Sequence, residues 1–111
     1  MAVITDEYFK ERHKNLKDYT IVLIKPTSKR DEVGVDAVIS EHARKNMELQ
    51  AGGALSIVCP VFGNPELAGL YIFNVAVDEA REIMDDDPAV KAGIFRCEIY
   101  PCKGFAGDSL A

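Results

Sequence analysis

The sequence has few of the residues and motifs from which metal, redox or nucleotide sites are built. Its 111 residues include three cysteines and two histidines, and the cysteines form no Cys-x-x-Cys pair, so we expect neither a zinc site nor a dithiol redox motif. GxGxxG and P-loop motifs are also missing, and we therefore expect no cofactor. No apolar run is long enough for a membrane span, and the charged N-terminal segment argues against a signal peptide.

Positive charge is scarce relative to negative charge. The formal net charge is −5 and the isoelectric point is near 5.0, which argues against nucleic acids and anionic membranes as partners. The odd number of cysteines, Cys59, Cys97 and Cys102, is most simply explained by reduced thiols with structural roles in the cytoplasm. The chain is long enough to form one folded domain. Hydrophobic residues make up 48% of it, which is sufficient for a core.

Helix caps, turn residues and hydrophobic patterns predict the secondary structure. The expected elements are a helix over 5–18 capped by Thr5, strands over 19–25, 54–61, 70–76 and 94–100, and helices over 34–51, 79–86 (capped by Asp78) and 88–92. Pro101 is expected to end the last strand, and the Gly-rich segment after it is expected to cross a surface or a partner. We divide the chain into a helical extension (1–18), an α/β domain (19–105) and a tail (106–111).

The order of these elements is βαββαβ after an extra N-terminal helix. It predicts an α+β, ferredoxin-like fold, in which a four-stranded antiparallel sheet carries two helices on one face. The segments 21–24, 55–58 and 70–73 are apolar on both sides, so the second face of the sheet needs a cover. We expect two sheets to pack face to face in a homodimer, or a higher oligomer built from it, with a pocket in or beside the joint core. The alternative is a sheet that pairs edge to edge or packs under the N-terminal helix and the tail.

His42 is the first candidate for chemistry. It follows Val38 by four residues and Ile39 by three, so it lies on the apolar face of the predicted helix 34–51. A sheltered imidazole can act as an acid or a base near neutral pH. The other interpretation is a core histidine with a satisfied hydrogen bond, and the helix taken alone favours it. The second histidine, His13, lies in a charged helix and is interpreted as a surface residue.

Two patterns together resemble the YCII-related (YciI-like) family of dimeric α/β-barrel proteins. The first is His42, followed by Gly53 and then by Pro60. The second is the segment 80–95, AREIMDDDPAVKAGIF, in which acidic residues precede Asp-Pro and Ala-Gly precedes the last strand. The resemblance covers most of the chain, from the first strand to the last.

The resemblance implies a dimeric barrel with a His-Asp pair lining a pocket, and it places the pair at His42 and Asp87. One characterised type of member removes chloride from a chlorinated hydroxylated aromatic, but a family name fixes a fold better than a reaction. Asp87 also precedes Pro88 at a helix start, where its carboxylate could cap free backbone N–H groups. The two roles can coexist, because a carboxylate has several acceptor positions.

Two further sets of polar residues have competing interpretations. Asp85, Asp86 and Asp87 lack the spacing of an EF-hand and point about 100° apart on a helix, so we expect a solvated helix end and no metal. Arg96 and Tyr100 share one face of the last strand. They are candidates for binding an anionic or phenolic substrate across the dimer core, although interface hydrogen bonds are the more common use of such residues.

The sequence supports two functional hypotheses. The first is a small cytoplasmic enzyme that performs proton transfer or elimination on a small aromatic or enol-like molecule, with His42 as acid or base and Asp87 as its orienting partner. No serine or cysteine has the spacing of a nucleophile elbow or catalytic triad, which argues against acyl transfer. The second hypothesis is a non-catalytic binding or accessory protein that holds a small molecule in the same pocket.

Overall fold

A computed structural model of the protein describes residues 2–111. The helices are α1 (Asp6–His13), α2 (Val35–Ala51), α3 (Val77–Asp85) and α4 (Pro88–Lys91), the strands are β1 (Leu16–Pro26), β2 (Leu55–Pro60), β3 (Gly69–Phe73) and β4 (Phe95–Phe105), and a 3-10 turn spans Ser28–Asp31. None of the helices in this range is both long enough and apolar enough to span a lipid bilayer. All three cysteines are free thiols.

The four strands form one antiparallel sheet in the order β2-β3-β1-β4. This is the strand order of the ferredoxin-like fold, so the predicted fold class is confirmed. Alternate residues of the two central strands face the helices and are almost fully buried, namely Val22 and Ile24 on β1 and Tyr71 and Phe73 on β3. The residues that meet them from the helices are Ala80 and Met84 of α3 and Ala89 of α4.

The first and last strands are longer than predicted. β1 pairs with β4 along its whole length of 11 residues, from Leu16 opposite Phe105 to Pro26. β3 pairs with residues 20–24 of β1, so the outer part of the β1–β4 ribbon extends beyond the rest of the sheet. The prediction that Pro101 ends the last strand is wrong. β4 is an edge strand, and edge strands tolerate a residue that lacks a backbone N–H.

The N-terminal helix is present but shorter than predicted, since it ends at His13 and the chain then enters β1. Thr5 caps it as predicted, and its hydroxyl accepts a hydrogen bond from the N–H of Tyr8 at 3.1 Å. α1 has no buried residue. The guanidinium of Arg12 lies 4.5 Å from the ring centre of Phe105, which places α1 at the outer end of the β1–β4 ribbon.

Of the caps predicted for α3 and α4, the first is wrong and the second is confirmed. α3 begins at Val77 with Ala76 in the cap position, so the predicted cap at Asp78 is wrong. Asp78 lies in the first turn, where its negative charge still favours the helix dipole. α4 begins at Pro88 with Asp87 as its cap, as predicted. Capping of α4 fixes the position of the Asp87 carboxylate, which is part of the candidate site.

The face of the sheet opposite the core, here called the open face, is apolar at its centre. The strand register places Ile21 beside Ile72 and Leu23 beside Leu70 on this face, and all four side chains are half-buried. Within residues 2–111 the helical residues of the core pack against the other side of the sheet. The apolar character predicted for both sides of these strands is therefore confirmed.

Candidate active site

Asp87 combines the two roles that the sequence left open. As the N-cap of α4, its Oδ2 atom accepts hydrogen bonds from the backbone N–H groups of Ala89 at 2.9 Å and Val90 at 3.2 Å. Its Oδ1 and Oδ2 atoms also lie 2.8 and 2.9 Å from Nδ1 of His42. The predicted contact between Asp87 and His42 is present, and capping and pairing coexist in a carboxylate that is only 2% exposed.

His42 lies on the buried side of α2 and is 5% exposed. An ionised carboxylate can only accept hydrogen bonds, so Nδ1 carries a proton and donates it to Asp87. In the neutral ring Nε2 is then an acceptor, and the hydroxyl of Tyr71 donates to it at 2.7 Å. The edge of the imidazole packs against Phe95 with 5.3 Å between ring centres. These contacts fix both the tautomer and the orientation of the ring.

Sequence reasoning missed two members of this network, Tyr71 and Asn46. Both are buried, Tyr71 on β3 and Asn46 one helical turn after His42 on α2. The side-chain N–H of Asn46 donates to the Tyr71 hydroxyl oxygen at 3.2 Å, and its nitrogen lies 3.4 Å from Nε2 of His42. The spacing of four residues could have identified Asn46, because it puts both side chains on one helix face. Tyr71 gives no such signal, since an aromatic residue in an apolar strand is an ordinary core residue.

The Tyr71 hydroxyl is neutral at physiological pH. Burial raises the pKa of Tyr71 from 10.0 to about 12. The hydrogen bond from Asn46 opposes this change, and electrostatic repulsion from Asp87, and from Cys97 when its thiol ionises, adds to it. A phenol with this pKa keeps its proton at neutral pH. It can therefore serve as the hydrogen-bond donor to His42.

A cavity of about 450 Å³ lies beside this network, between α2 and the β2–β3 side of the sheet. His42, Asn46, Tyr71 and Phe95 line its buried part. Its remaining wall is mostly apolar and includes Ile39, Met47, Val58, Val61, Phe62 and Ala68. At its exposed rim the guanidinium of Arg30 lies 5.8 Å from the ring centre of Phe95. The cavity is thus apolar along its walls and polar at its buried end.

The structure places Arg96 and Tyr100 away from this cavity. The register of β4 puts both on the open face, where the side chain of Arg96 is 63% exposed and Tyr100 is 49% exposed. The sheet separates them from His42 and Asp87, so one ligand in the cavity cannot contact all four residues. The cavity beside His42 therefore lies on the helical side of the sheet and not where a joint dimer core would form. Substrate binding by Arg96 and Tyr100 stays a prediction that concerns the open face.

The three consecutive aspartates have different surroundings. Asp86 is exposed and forms ion pairs with Lys91 at 2.8 Å and Lys45 at 3.3 Å, and the hydrogen bonds from these two lysines lower the pKa of its carboxyl group. Asp87, the next residue, points inward to His42. Across residues 2–111, no cluster of three or more histidine, cysteine or acidic side chains is arranged to hold a metal ion.

Comparison with known proteins shows that the chain is similar in fold to a solved structure. No protein-family model matches the sequence, and no curated protein sequence matches it significantly. Among solved structures, the chain is similar to 5-chloro-2-hydroxyhydroquinone dehydrochlorinase from Burkholderia phenoliruptrix AC1100 in complex with 2,5-dihydroxybenzoquinone, with a TM-score of 0.53 and 17% sequence identity. The similarity covers 74% of this chain and 90% of that one. At this identity the comparison supports the α+β fold and assigns no activity.

Proposed function

We propose that the protein is an enzyme that transfers protons on a small hydroxylated molecule, aromatic or enol-like, with His42 as the acid or base and Asp87 as its orienting partner. The observation that carries the proposal is the short contact between Nδ1 of His42 and both carboxylate oxygens of Asp87, at 2.8 and 2.9 Å. A buried carboxylate in this position holds the ring in one tautomer. It also stabilises the imidazolium that forms when the ring takes up a proton.

The size and lining of the cavity favour a small ligand of mixed character. About 450 Å³ falls within the usual range of ligand pockets, roughly 300–1,000 Å³, and suits a molecule with a single ring. Arg30 at the rim forms no ion pair within residues 2–111. Its guanidinium favours a ligand that carries a negative charge or an ionisable hydroxyl group.

The neighbours of His42 favour proton transfer over covalent catalysis. In the described part of the chain, its ring nitrogens contact Asp87, Tyr71 and Asn46. None of these is a serine or cysteine that the imidazole could activate as a nucleophile. Proton abstraction, or an elimination that begins with it, is therefore the reaction class that these residues support.

We also propose that the chain is a member of the YciI-like family and acts as a lyase or isomerase in the cytoplasm. The patterns around His42 and Asp87 resemble that family, and the similar solved structure is of an enzyme named as a dehydrochlorinase of 5-chloro-2-hydroxyhydroquinone. Loss of a leaving group from a hydroxylated ring can begin with removal of a hydroxyl proton. A His-Asp pair is suited to that step.

The open face supports a further proposal, a homodimer in which two sheets pack face to face. Ile21, Leu23, Leu70 and Ile72 form a contiguous apolar surface there, and a surface of this kind is typical of an interface. Arg96 and Tyr100 would then lie within the interface.

One observation favours a second candidate function, ligand binding without catalysis. Both ring nitrogens of His42 are already hydrogen-bonded inside the protein, Nδ1 to Asp87 and Nε2 to Tyr71. A structural histidine is typically satisfied in this way. In that case the cavity would hold a small molecule and the network would only stabilise its wall.

The experiment that separates the two functions compares His42→Gln with His13→Gln. The two histidines are the only ones in the sequence, and His13 is exposed on α1. We expect the parent to release chloride from 5-chloro-2-hydroxyhydroquinone or to exchange ring hydrogens with deuterated solvent. His42→Gln should lose this turnover while still binding 2,5-dihydroxybenzoquinone, and His13→Gln should match the parent. A parent that binds these compounds without turning them over would favour the binding protein.

A further inference from the structure

We infer that the Tyr71 hydroxyl takes up a proton from the ligand and passes its own proton to His42. The group that gives up the proton is an acidic hydroxyl of a phenol or an enol. This inference rests on the proposed function and assigns its chemical contact to a residue on β3. Tyr71 lines the buried end of the cavity together with His42 and Asn46.

The direction of the hydrogen bonds leads to this assignment. Starting from the Asp87 carboxylate, Nδ1–H of His42 donates to Asp87, Tyr71 donates to Nε2 of His42, and Asn46 donates to the Tyr71 oxygen. Each nitrogen of His42 therefore already has a partner within the protein. The phenolic oxygen accepts one hydrogen bond, from Asn46, and has a second lone pair. A ligand hydroxyl can donate to this lone pair without breaking any bond of the network.

Asn46 gives an independent indication that the buried end of the cavity recognises a polar group. Its side chain is 5% exposed, and its Oδ1 atom is buried and has no hydrogen-bond partner among residues 2–111. A buried acceptor without a donor destabilises a folded protein, and such groups are found at functional sites. The ligand hydroxyl that donates to Tyr71 has no second proton, so a ligand with a further hydroxyl group beside it would supply the donor that Asn46 Oδ1 lacks.

The proton transfer balances without any further reactant. The ligand O–H bond breaks and its proton moves to the Tyr71 oxygen, while the original Tyr71 proton moves to Nε2 of His42. The electron pair of the broken bond stays on the ligand oxygen, which becomes a phenolate or an enolate. His42 becomes an imidazolium that still donates through Nδ1 to the ionised Asp87. Return of the proton to a ring carbon would complete a keto–enol tautomerisation.

Burial of Tyr71 is consistent with this role. The neutral phenol gives up its proton only as it receives another, so Tyr71 need not ionise in advance and its high pKa is no obstacle. Phenylalanine retains the ring that packs in the core and removes only the hydroxyl group. Tyr71→Phe is therefore the discriminating substitution, and Tyr8→Phe on the exposed surface of α1 is its matched control.

The test uses 4-nitrophenol, whose absorption spectrum distinguishes the neutral phenol from the phenolate. It is titrated with the full chain, at a pH where the free compound is mostly neutral, using the parent, Tyr71→Phe, His42→Gln and Tyr8→Phe. We expect the parent and Tyr8→Phe to bind it as the phenolate. Tyr71→Phe should bind it about fivefold more weakly, because one hydrogen bond is lost, and should leave it neutral. His42→Gln should also leave it neutral, because the glutamine amide can accept a hydrogen bond from Tyr71 but cannot take up its proton.

Three outcomes would overturn the inference, and they differ in what they mean for the proposed function. If Tyr71→Phe ionises the bound phenol as the parent does while His42→Gln does not, His42 takes the proton directly and the proposed function stands. If both variants ionise it like the parent, neither residue handles the proton and both proposals fail. If the parent does not bind 4-nitrophenol or leaves it neutral, the ligand class is wrong, and chloride release by the parent and His42→Gln then decides the proposed function separately. Unchanged near-ultraviolet circular dichroism of Tyr71→Phe verifies that it is folded.

Discussion

Asp87 holds His42 through the same oxygen atom that caps a helix. The Oδ2 atom of Asp87 lies 2.9 Å from Nδ1 of His42 and 2.9 Å from the backbone nitrogen of Ala89. The position of the imidazole on α2 is therefore tied to the start of α4. The proposed catalytic pair and the cap of α4 share one carboxylate, so their contributions can be separated only by a graded set of substitutions.

Substitutions at Asp87 should separate the cap from the pair. Asp87→Ala removes both and should lower the free energy of unfolding by about 2–4 kcal/mol, from the lost cap and an unpaired buried donor on His42. Asp87→Ser should regain about 1 kcal/mol, because serine caps helices but is too short to replace the carboxylate at His42. Urea unfolding measures both values. The matched control is Asp86→Ala, which removes an exposed carboxylate and should change stability much less than Asp87→Ala. An Asp87→Ala protein as stable as this control would contradict the structural role.

The Tyr71 phenol should make stability fall at alkaline pH. Its pKa in the folded protein is about 12, above 10.0 in the unfolded chain. Its contribution is therefore complete below pH 10 and is lost as the pH rises toward 12, by roughly 2–3 kcal/mol in all. Burial also raises the pKa of the Cys97 thiol to about 12, so both proteins compared should carry Cys97→Ala. The measurement is urea unfolding from pH 9 upward, with and without Tyr71→Phe. The stability advantage of the tyrosine should shrink with pH, and a constant difference would contradict the assignment.

Arg30 should strengthen the binding of anionic ligands. It lines the rim of the cavity and makes no ion pair within residues 2–111. Arg30→Gln should weaken the binding of ionised 2,5-dihydroxybenzoquinone by about 3- to 10-fold, and added salt should reduce this difference, because a charge at the rim remains partly screened by solvent. Calorimetric titration gives both affinities. Arg44→Gln, which removes an exposed charge outside the cavity, is the control and should bind like the parent. Equal affinities for Arg30→Gln and the parent would exclude a direct contact.

A charged residue on the open face should prevent dimer formation. Leu23 and Ile72 lie at the centre of this face, and a lysine there would have to be buried between the two sheets of the proposed homodimer. We expect the parent to have twice the chain mass of 12.2 kDa in light scattering. Ile72→Lys should shift it to the monomer, while Val33→Lys, at a fully exposed loop position, should not. A monomeric parent would contradict the dimer.

The sequence was sufficient to predict the fold and two members of the candidate network, His42 and Asp87. The order of strands and helices follows from local signals, namely Thr5 and Pro88 at helix starts and short apolar runs bounded by proline or glycine in the strands. The pairing of His42 with Asp87 joins residues 45 positions apart, and local patterns cannot specify such a contact. The resemblance to a family supplied it.

Other features depend on contacts that no local pattern contains. Tyr71 contacts His42 because β3 lies next to β1 under α2, and its residue type is equally suited to an inert core position. Asn46 shares the helix face of His42, but polar residues one turn apart are common on helices. Pro101 is a strand-breaking signal in the sequence, and its place at the sheet edge, where it is tolerated, becomes evident only from the strand order.

The long β1–β4 ribbon has a consequence for how the chain folds during its synthesis. β1 is near the N-terminal end of the described chain and β4 near its C-terminal end, yet they are neighbours in the sheet. Pairing between distant segments is slow to form, because a long loop must close first. On the ribosome, β1 therefore keeps one unpaired edge until β4 has emerged. A polypeptide that stops before β4 would present that edge to other chains, and truncated products are expected to aggregate.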